Sequence, residues 1–220
     1  MARLSSTEHA YREIKARILD NRIPAGTQLL ETELGEMLKM SRTPIREATI
    51  RLAREGMLEV RPRHGVRVLP VSAEDMREIY EVLTELESTA ARRVAEMGLD
   101  ESRLAALHQA VNDMDRALAE QDLDLWARAD EQFHKLLVEY SGNSRLIDIV
   151  HTFWDQSHRT RLVTLRLRPP PSESNRDHAA LIEAIERGDA DAAYIIHRRH
   201  RLNSGKLLVS LLEKHGLTQL

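Results

Sequence analysis

No proline interrupts the chain between Val71 and Arg168, whereas four of the seven prolines fall between Pro24 and Pro70 and the other three form Pro169-Pro170-Pro171. An interior proline removes a backbone donor and clashes with the preceding turn, so a long stretch without one favours helices. Within it Ile79, Val82, Leu86, Ala90, Val94 and Met97 recur at steps of three and four, as do Leu104, Leu107, Val111, Met114 and Leu118. That spacing predicts two amphipathic helices. Further helices are expected over 124–140, 144 to about 168, 172–187 and 189 to about 213. Ser141-Gly142-Asn143 and Gly188-Asp189 each close one helix and cap the next. Ser72-Ala-Glu-Asp75 resembles a capping box, so the boundary falls near 69–72. The second domain, 72–220, reads as an antiparallel all-helical bundle of about six helices, and the fold class as mainly α.

Residues 1–71 have a shorter rhythm. Helices are expected over 8–20, 31–38 and 43–54, the last two joined by the tight Lys39-Met40-Ser41 connection. After Glu55-Gly56, strands over 58–61 and 66–69 flank a Pro62-Arg63-His64-Gly65 tip. The sum is a helix, a helix-turn-helix and a β-wing. This segment holds 13 Lys and Arg against 9 Asp and Glu, for +4, while the remainder carries −7. A basic head on an acidic bundle suits a polyanion partner for the first domain.

A helix enters the DNA major groove when its first turn carries bidentate donors and its other face is anchored in a small core. Ser41 can cap the third helix, and Pro44 is tolerable in its first turn. Arg42 and Arg46 then share one face, with Thr43 beside them, while Ile45, Ala48 and Leu52 point to the other helices. Wing residues Arg61, Arg63, His64, Gly65 and Arg67 are placed to follow the backbone or a minor groove. On spacing alone, solvated helix charges account for the arginines better, and the turn, the wing and the basic balance bring the two readings level.

The stretch Leu34-Gly-Glu-Met-Leu-Lys-Met-Ser-Arg-Thr-Pro-Ile-Arg-Glu-Ala, followed by Arg51-Leu-Ala-Arg-Glu-Gly-Met-Leu and Arg61-Pro-Arg-His-Gly-Val-Arg-Val, strongly resembles the winged helix-turn-helix of GntR-family bacterial transcription regulators. The resemblance implies that Arg42 and Arg46 are the principal readers of bases and phosphates and that Gly65 sits at the wing tip. It extends to Ser41, Thr43, Arg63 and His64 as DNA-binding residues. Thr32 stands where some relatives place an operator-contacting arginine, which implies different flanking bases.

Ten histidines are distributed over the chain and there is no cysteine, which excludes disulfides, thiolate metal sites and cysteine catalysis. Asp130 and His134 lie four apart beside Trp126, Phe133 and Leu137; His178 shares a face with Ile182 and Ile185; His200 falls on the stripe of Ala193, Ile196 and Leu207. Imidazole nitrogens and a carboxylate oxygen suit Zn²⁺, Ni²⁺ or Mn²⁺, and hydrogen-bonded core histidines are the alternative. His197 lies at nearly the same helical angle as His200 and competes with it.

Residues from about 75 to 210 look like the FCD effector-binding domain of the FadR subgroup of GntR regulators. The matching marks are Asp130-Glu-Gln-Phe-His134 with Ser141-Gly-Asn143, His178 before Leu181-Ile-Glu-Ala-Ile, Gly188-Asp189, and His200-Arg-Leu202. The resemblance implies that Asp130, His134, His178 and His200 hold a divalent metal. Relatives commonly read Glu-Val-Arg in the first bundle helix, the arginine gripping an acid; here the text is Glu81-Val82-Leu83. An organic-acid effector would then rely on the metal or on Arg159 or Arg161.

The expected function is a ligand-responsive repressor, a homodimer that binds near-palindromic double-stranded operator DNA through its two heads and a small-molecule effector in its bundle. A helical metalloenzyme is disfavoured. Glu131-Gln-Phe-His134 has one copy of the di-iron spacing where two are required, and neither a P-loop nor a dinucleotide fingerprint is present. A metal sensor is a further alternative. Met1-Ala-Arg-Leu-Ser-Ser lacks the apolar core of a signal peptide and no apolar run reaches the ~20 residues needed to span a bilayer. A cytoplasmic protein without membrane contact is therefore expected.

Overall fold

The computed structural model describes residues 5–216. Met1–Leu4, part of the stretch weighed above for a signal peptide, lie outside them. The described chain falls into two units, one ending at Ser72 and the other running Ala73–Gly216.

The first unit begins with α1 (Ser6–Leu19), whose N-terminus is capped by Ser5 Oγ accepting from the Glu8 amide at 3.1 Å. It continues through β1 (Gln28–Leu29), α2 (Glu31–Leu38), α3 (Arg42–Arg54), β2 (Leu58–Arg61) and β3 (Gly65–Val68). Ile14, Ile18, Leu34, Ile45, Ala48, Leu52, Val66 and Val68 form its core, all essentially buried. Ile45, Ala48 and Leu52 therefore face inward as their spacing predicts, leaving Arg42 and Arg46 outside. Tyr11 ties α1 to the end of α3: its hydroxyl donates to Glu55 at 2.8 Å, and the Arg51 guanidinium lies 3.6 Å from its ring centre.

The wing has one strand more than the sequence suggests. β1 pairs antiparallel with β3, in the order β1-β3-β2, with Gln28 opposite Arg67 and Leu58 opposite Val68. Two residues are too few to show a period. β3 begins at Gly65, one residue before the expected start. There φ is +79°, and a Cβ would stand 2.1 Å from the Leu29 carbonyl oxygen, so only glycine lets the wing close over β1. Ser41 does occupy the N-cap position of α3, but its side chain makes no capping hydrogen bond.

The second unit is built from six helices: α4 (Ala73–Met97), α5 (Glu101–Ala119), α6 (Leu123–Tyr140), α7 (Ser144–Thr164), α8 (Ser172–Glu186) and α9 (Ala190–Lys214). A single 3-10 turn, Leu165–Leu167, follows α7. Two of the caps read from the sequence are present, those of Asn143 and Asp189. Asn143 Oδ1 accepts from the amides of Arg145 and Leu146 at 3.1 and 3.2 Å, and Asp189 Oδ1 from Ala192 at 3.0 Å. Val94, Leu107, Met114, Phe133, Leu137, Leu181 and Ile182 fill the core. Trp126 joins three helices, its indole donating to Asn175 at 2.8 Å while the Asn175 amide donates to Asp115 at 2.6 Å.

The buried face of α4 is rotated from the expected stripe. Val82 and Met97 are exposed, whereas Met76, Leu83, Thr84, Glu87 and Ser88 are buried. The polar members of that face are what bring α4 to the chemistry of the bundle. Pro169-Pro170-Pro171 follow the 3-10 turn and border a hollow of about 270 Å³ whose lining includes Asp177 and His200.

Candidate nucleic-acid interface and metal centre

In the first unit α3 and the wing frame a concavity lined by Thr32, Arg42, Arg46, Thr49, Arg61, Arg63 and Gly65, among others. Arg42, Thr43, Arg46, Arg63 and His64 are all exposed. Among the described residues Arg42 makes a long contact to Glu31, 3.7 Å, and Arg61 pairs with Glu59 at 2.8 Å. Exposed pairs of this kind hold a side chain weakly, so these guanidinium groups are available to phosphates or guanine edges. Arg63 takes a left-handed φ of +67° at the tip, and Gln28 donates to the His64 carbonyl at 2.9 Å, pinning the wing to β1. Arg67 is half-buried and does not line the concavity.

In the second unit the four proposed ligands converge. His134, His178 and His200 each present a ring nitrogen within 4.8 Å of the others. Asp130 Oδ1 lies 3.7 Å from His134 Nε2 and 3.8 Å from His178 Nε2. All four residues are at most 5% exposed. Asp130 Oδ2 accepts from Arg161 Nη1 at 3.0 Å, leaving Oδ1 towards the histidines. His200 Nδ1 is 3.4 Å from Asp177 Oδ2.

His178 is anomalous. Among the described residues neither ring nitrogen has a hydrogen-bond partner, although the residue is only 1% exposed. A buried polar group left unsatisfied costs about 1–3 kcal/mol, and protein interiors tolerate few of them. A cation accepting the lone pair removes that cost. Burial and the neighbouring His200 and His134 hold His178 well below the usual histidine range, so the ring is neutral, as ligation requires. The donor set thus fits a divalent ion.

Sequence reasoning missed Glu87, which is 2% exposed. Burial alone would raise its carboxyl, but the Arg201 guanidinium, with His134 and His197, outweighs burial and holds it well below the usual carboxylate range. Glu87, His134 and His197 form a second group of close donors. Arg168 was also missed. It is half-buried, its guanidinium 5.1 Å from the Trp126 ring centre, with the charges of Asp130 and Arg161 acting on it. Arg161 lies against the cluster as its candidacy for an effector requires; Arg159 is buried as well, and burial pushes its guanidinium down. Glu131 contacts His158 at 3.5 Å instead of joining the histidine group.

Comparison with known sequences and structures agrees with both units. The family described as "FCD domain" matches residues 78–203, and "Bacterial regulatory proteins, gntR family" matches residues 6–68. An HTH-type transcriptional regulator from the TAR-I ttuE-ttuC' intergenic region of Agrobacterium vitis is 40% identical over 131 residues, covering 59% of this chain and 77% of the relative. The HTH-type transcriptional repressor RspR of Escherichia coli K12 is 29% identical over 84% of this chain and 81% of its own. The solved structure of E. coli McbR/YncC superposes with a TM-score of 0.80 at 21% identity, covering 94% of this chain and 99% of that one. These relatives are transcription regulators, not enzymes.

Proposed function

The chain belongs to the gntR family of bacterial regulatory proteins, in the form that carries an FCD domain, and we propose that it is an effector-responsive, homodimeric repressor. Residues 1–71 are the DNA-binding domain, with Ser41, Arg42, Thr43, Arg46, Arg63, His64 and Gly65 at the duplex. Residues 72–220 bind metal and effector and dimerise. Asp130, His134, His178 and His200 hold one divalent ion, of which Zn²⁺, Ni²⁺ and Mn²⁺ suit the nitrogen-rich set. That ion supplies a Lewis-acid position for an anionic oxygen.

The observation that carries this reading is the buried His178 with both nitrogens unpartnered among the described residues; Arg161, which pairs with Asp130, has a further unpartnered Nε. Such an interior is incomplete without a cation, and Arg161 then offers charge to a small organic acid. Leu83, 1% exposed, contributes shape only. Effector binding favours one of two arrangements of the paired heads and so lowers operator affinity. Among the described residues no helix is long and apolar enough to cross a membrane, consistent with a regulator acting on DNA in the cytoplasm.

The test is to select duplexes from a random pool with the full-length protein and to measure binding of the enriched sequence with and without metal and a panel of carboxylic acids. Two inverted half-sites bound by a dimer, with affinity lowered by at least one acid, are expected. A single unrepeated site, or an affinity indifferent to every acid that binds the bundle, overturns the proposal.

A further inference from the structure

His197 and His200 sit one turn apart on α9 and both are buried, yet their surroundings differ. The His200 ring lies 4.6 Å from that of His178, on the side of the cluster where donors are unsatisfied. His197 Nε2 instead lies 3.3 Å from Glu87 Oε2. The same carboxylate oxygen is 3.1 Å from His134 Nδ1, though without the alignment of a well-directed hydrogen bond, and its other oxygen is 3.1 Å from Arg201 Nη2. Glu87 therefore faces three donors from two helices, α6 and α9, with no solvent to share them.

This contact bears on the state of His134. An anionic oxygen 3.1 Å from a ring nitrogen repels a lone pair there and attracts a proton, which favours the hydrogen on Nδ1 and a bare Nε2. Nε2 is the nitrogen that faces Asp130. Two overlapping donor groups share His134: His134 with His178 and His200, and His134 with Glu87 and His197. In the second, His197 already bonds the carboxylate that Arg201 faces, and His134 Nδ1 lies against the same carboxylate oxygen. The first has an open imidazole, His178.

We propose that Glu87 is a positioning residue that fixes the Nε2-bare tautomer of His134 and retains His197 as its own partner, thereby selecting which of the two donor groups takes the cation. The inference rests on the metal reading above. A carboxylate behind a ligating histidine commonly sets ring orientation and basicity, and its loss weakens metal affinity about 10–100-fold.

Long-range ¹H–¹⁵N NMR on the full-length protein reads the tautomer directly. In the wild type, His134 is expected with Nδ1 protonated both metal-free and with Zn²⁺, the ion on Nε2. A bare or ligating Nδ1 overturns the proposal without any variant. Zn²⁺ titration of Glu87→Gln should show a dissociation constant raised at least tenfold, and its Co²⁺ form an altered visible spectrum. His197→Gln should keep the wild-type Co²⁺ spectrum and bind Zn²⁺ within threefold of wild type, whereas His200→Ala should not. Equal losses at His197 and His200, or a Glu87→Gln protein indistinguishable from wild type, refute the selection by Glu87 while metal binding stands. A wild type that takes up no Zn²⁺ removes the metal reading and this inference together.

Discussion

At the scale of single residues the bundle combines strong burial with incomplete polar pairing. His178→Ala removes one donor of the group without touching the head. Expected is loss of metal from the purified protein and loss of effector response, with operator affinity within about twofold of wild type, read by elemental analysis and fluorescence anisotropy. The same cluster sets an acid dependence. Burial lowers His178, His134 and His197, the last from 6.5 to about 3, against the opposing pull of Asp130 and Glu87 and with Arg161 and Arg201 facing the group. The unfolded chain thus binds more protons than the folded one below pH 6.5. The stability these neutral rings contribute is complete above that pH and is lost as pH falls, for His197 down to about 3 at ~1.4 kcal/mol per pH unit. Urea titrations of metal-stripped protein at pH 7.5, 6 and 5 should show a declining midpoint; a flat series would contradict neutral burial. Asp130 and His134 were legible as an i, i+4 pair on an apolar face. Glu87 and Arg168 were not, because a carboxylate and a guanidinium on a helix read as solvated charges until the packing of other helices encloses them.

At the scale of elements, α3 and the wing divide the work of the head. Arg46 is exposed on α3 with its backbone anchored by Ile45 and Ala48 beneath. Arg46→Ala should weaken operator binding by about 1–3 kcal/mol and leave the metal content and melting of the bundle unchanged. The wing depends on the absence of a side chain at Gly65, so Gly65→Ala should lower the stability of the head by ~3 kcal/mol, from the left-handed backbone and the overlap with Leu29. Thermal unfolding followed in the isolated signals of the head would register it. The helices themselves were largely readable, since caps such as Asn143 and Asp189 act locally. The phase of α4 was not. Its buried face runs through Thr84, Glu87 and Ser88, and an apolar count slides off such a face towards Val82 and Met97. β1 escaped because its only support is a distant partner, β3.

At the scale of the whole molecule, the proposed function makes the regulator a linkage between two ligands, operator DNA and effector. If an acid lowers operator affinity by some factor, operator DNA must lower acid affinity by the same factor. Calorimetric titration of an active acid into protein alone and into protein saturated with operator should give the two factors equal within error. Unequal factors would mean that the acid acts other than through the equilibrium proposed here.

The unpaired imidazole of His178 also turns the fold into a gauge. If ions bind the assembled cluster and not the dispersed side chains, as proposed, each tenfold excess of free ion over its dissociation constant adds about 1.4 kcal/mol to the bundle. The melting point should therefore climb with the logarithm of ion concentration, and the slope would count the ions without any spectroscopic label. A protein that melts at one temperature in chelator and at another in buffered metal is reporting its own occupancy.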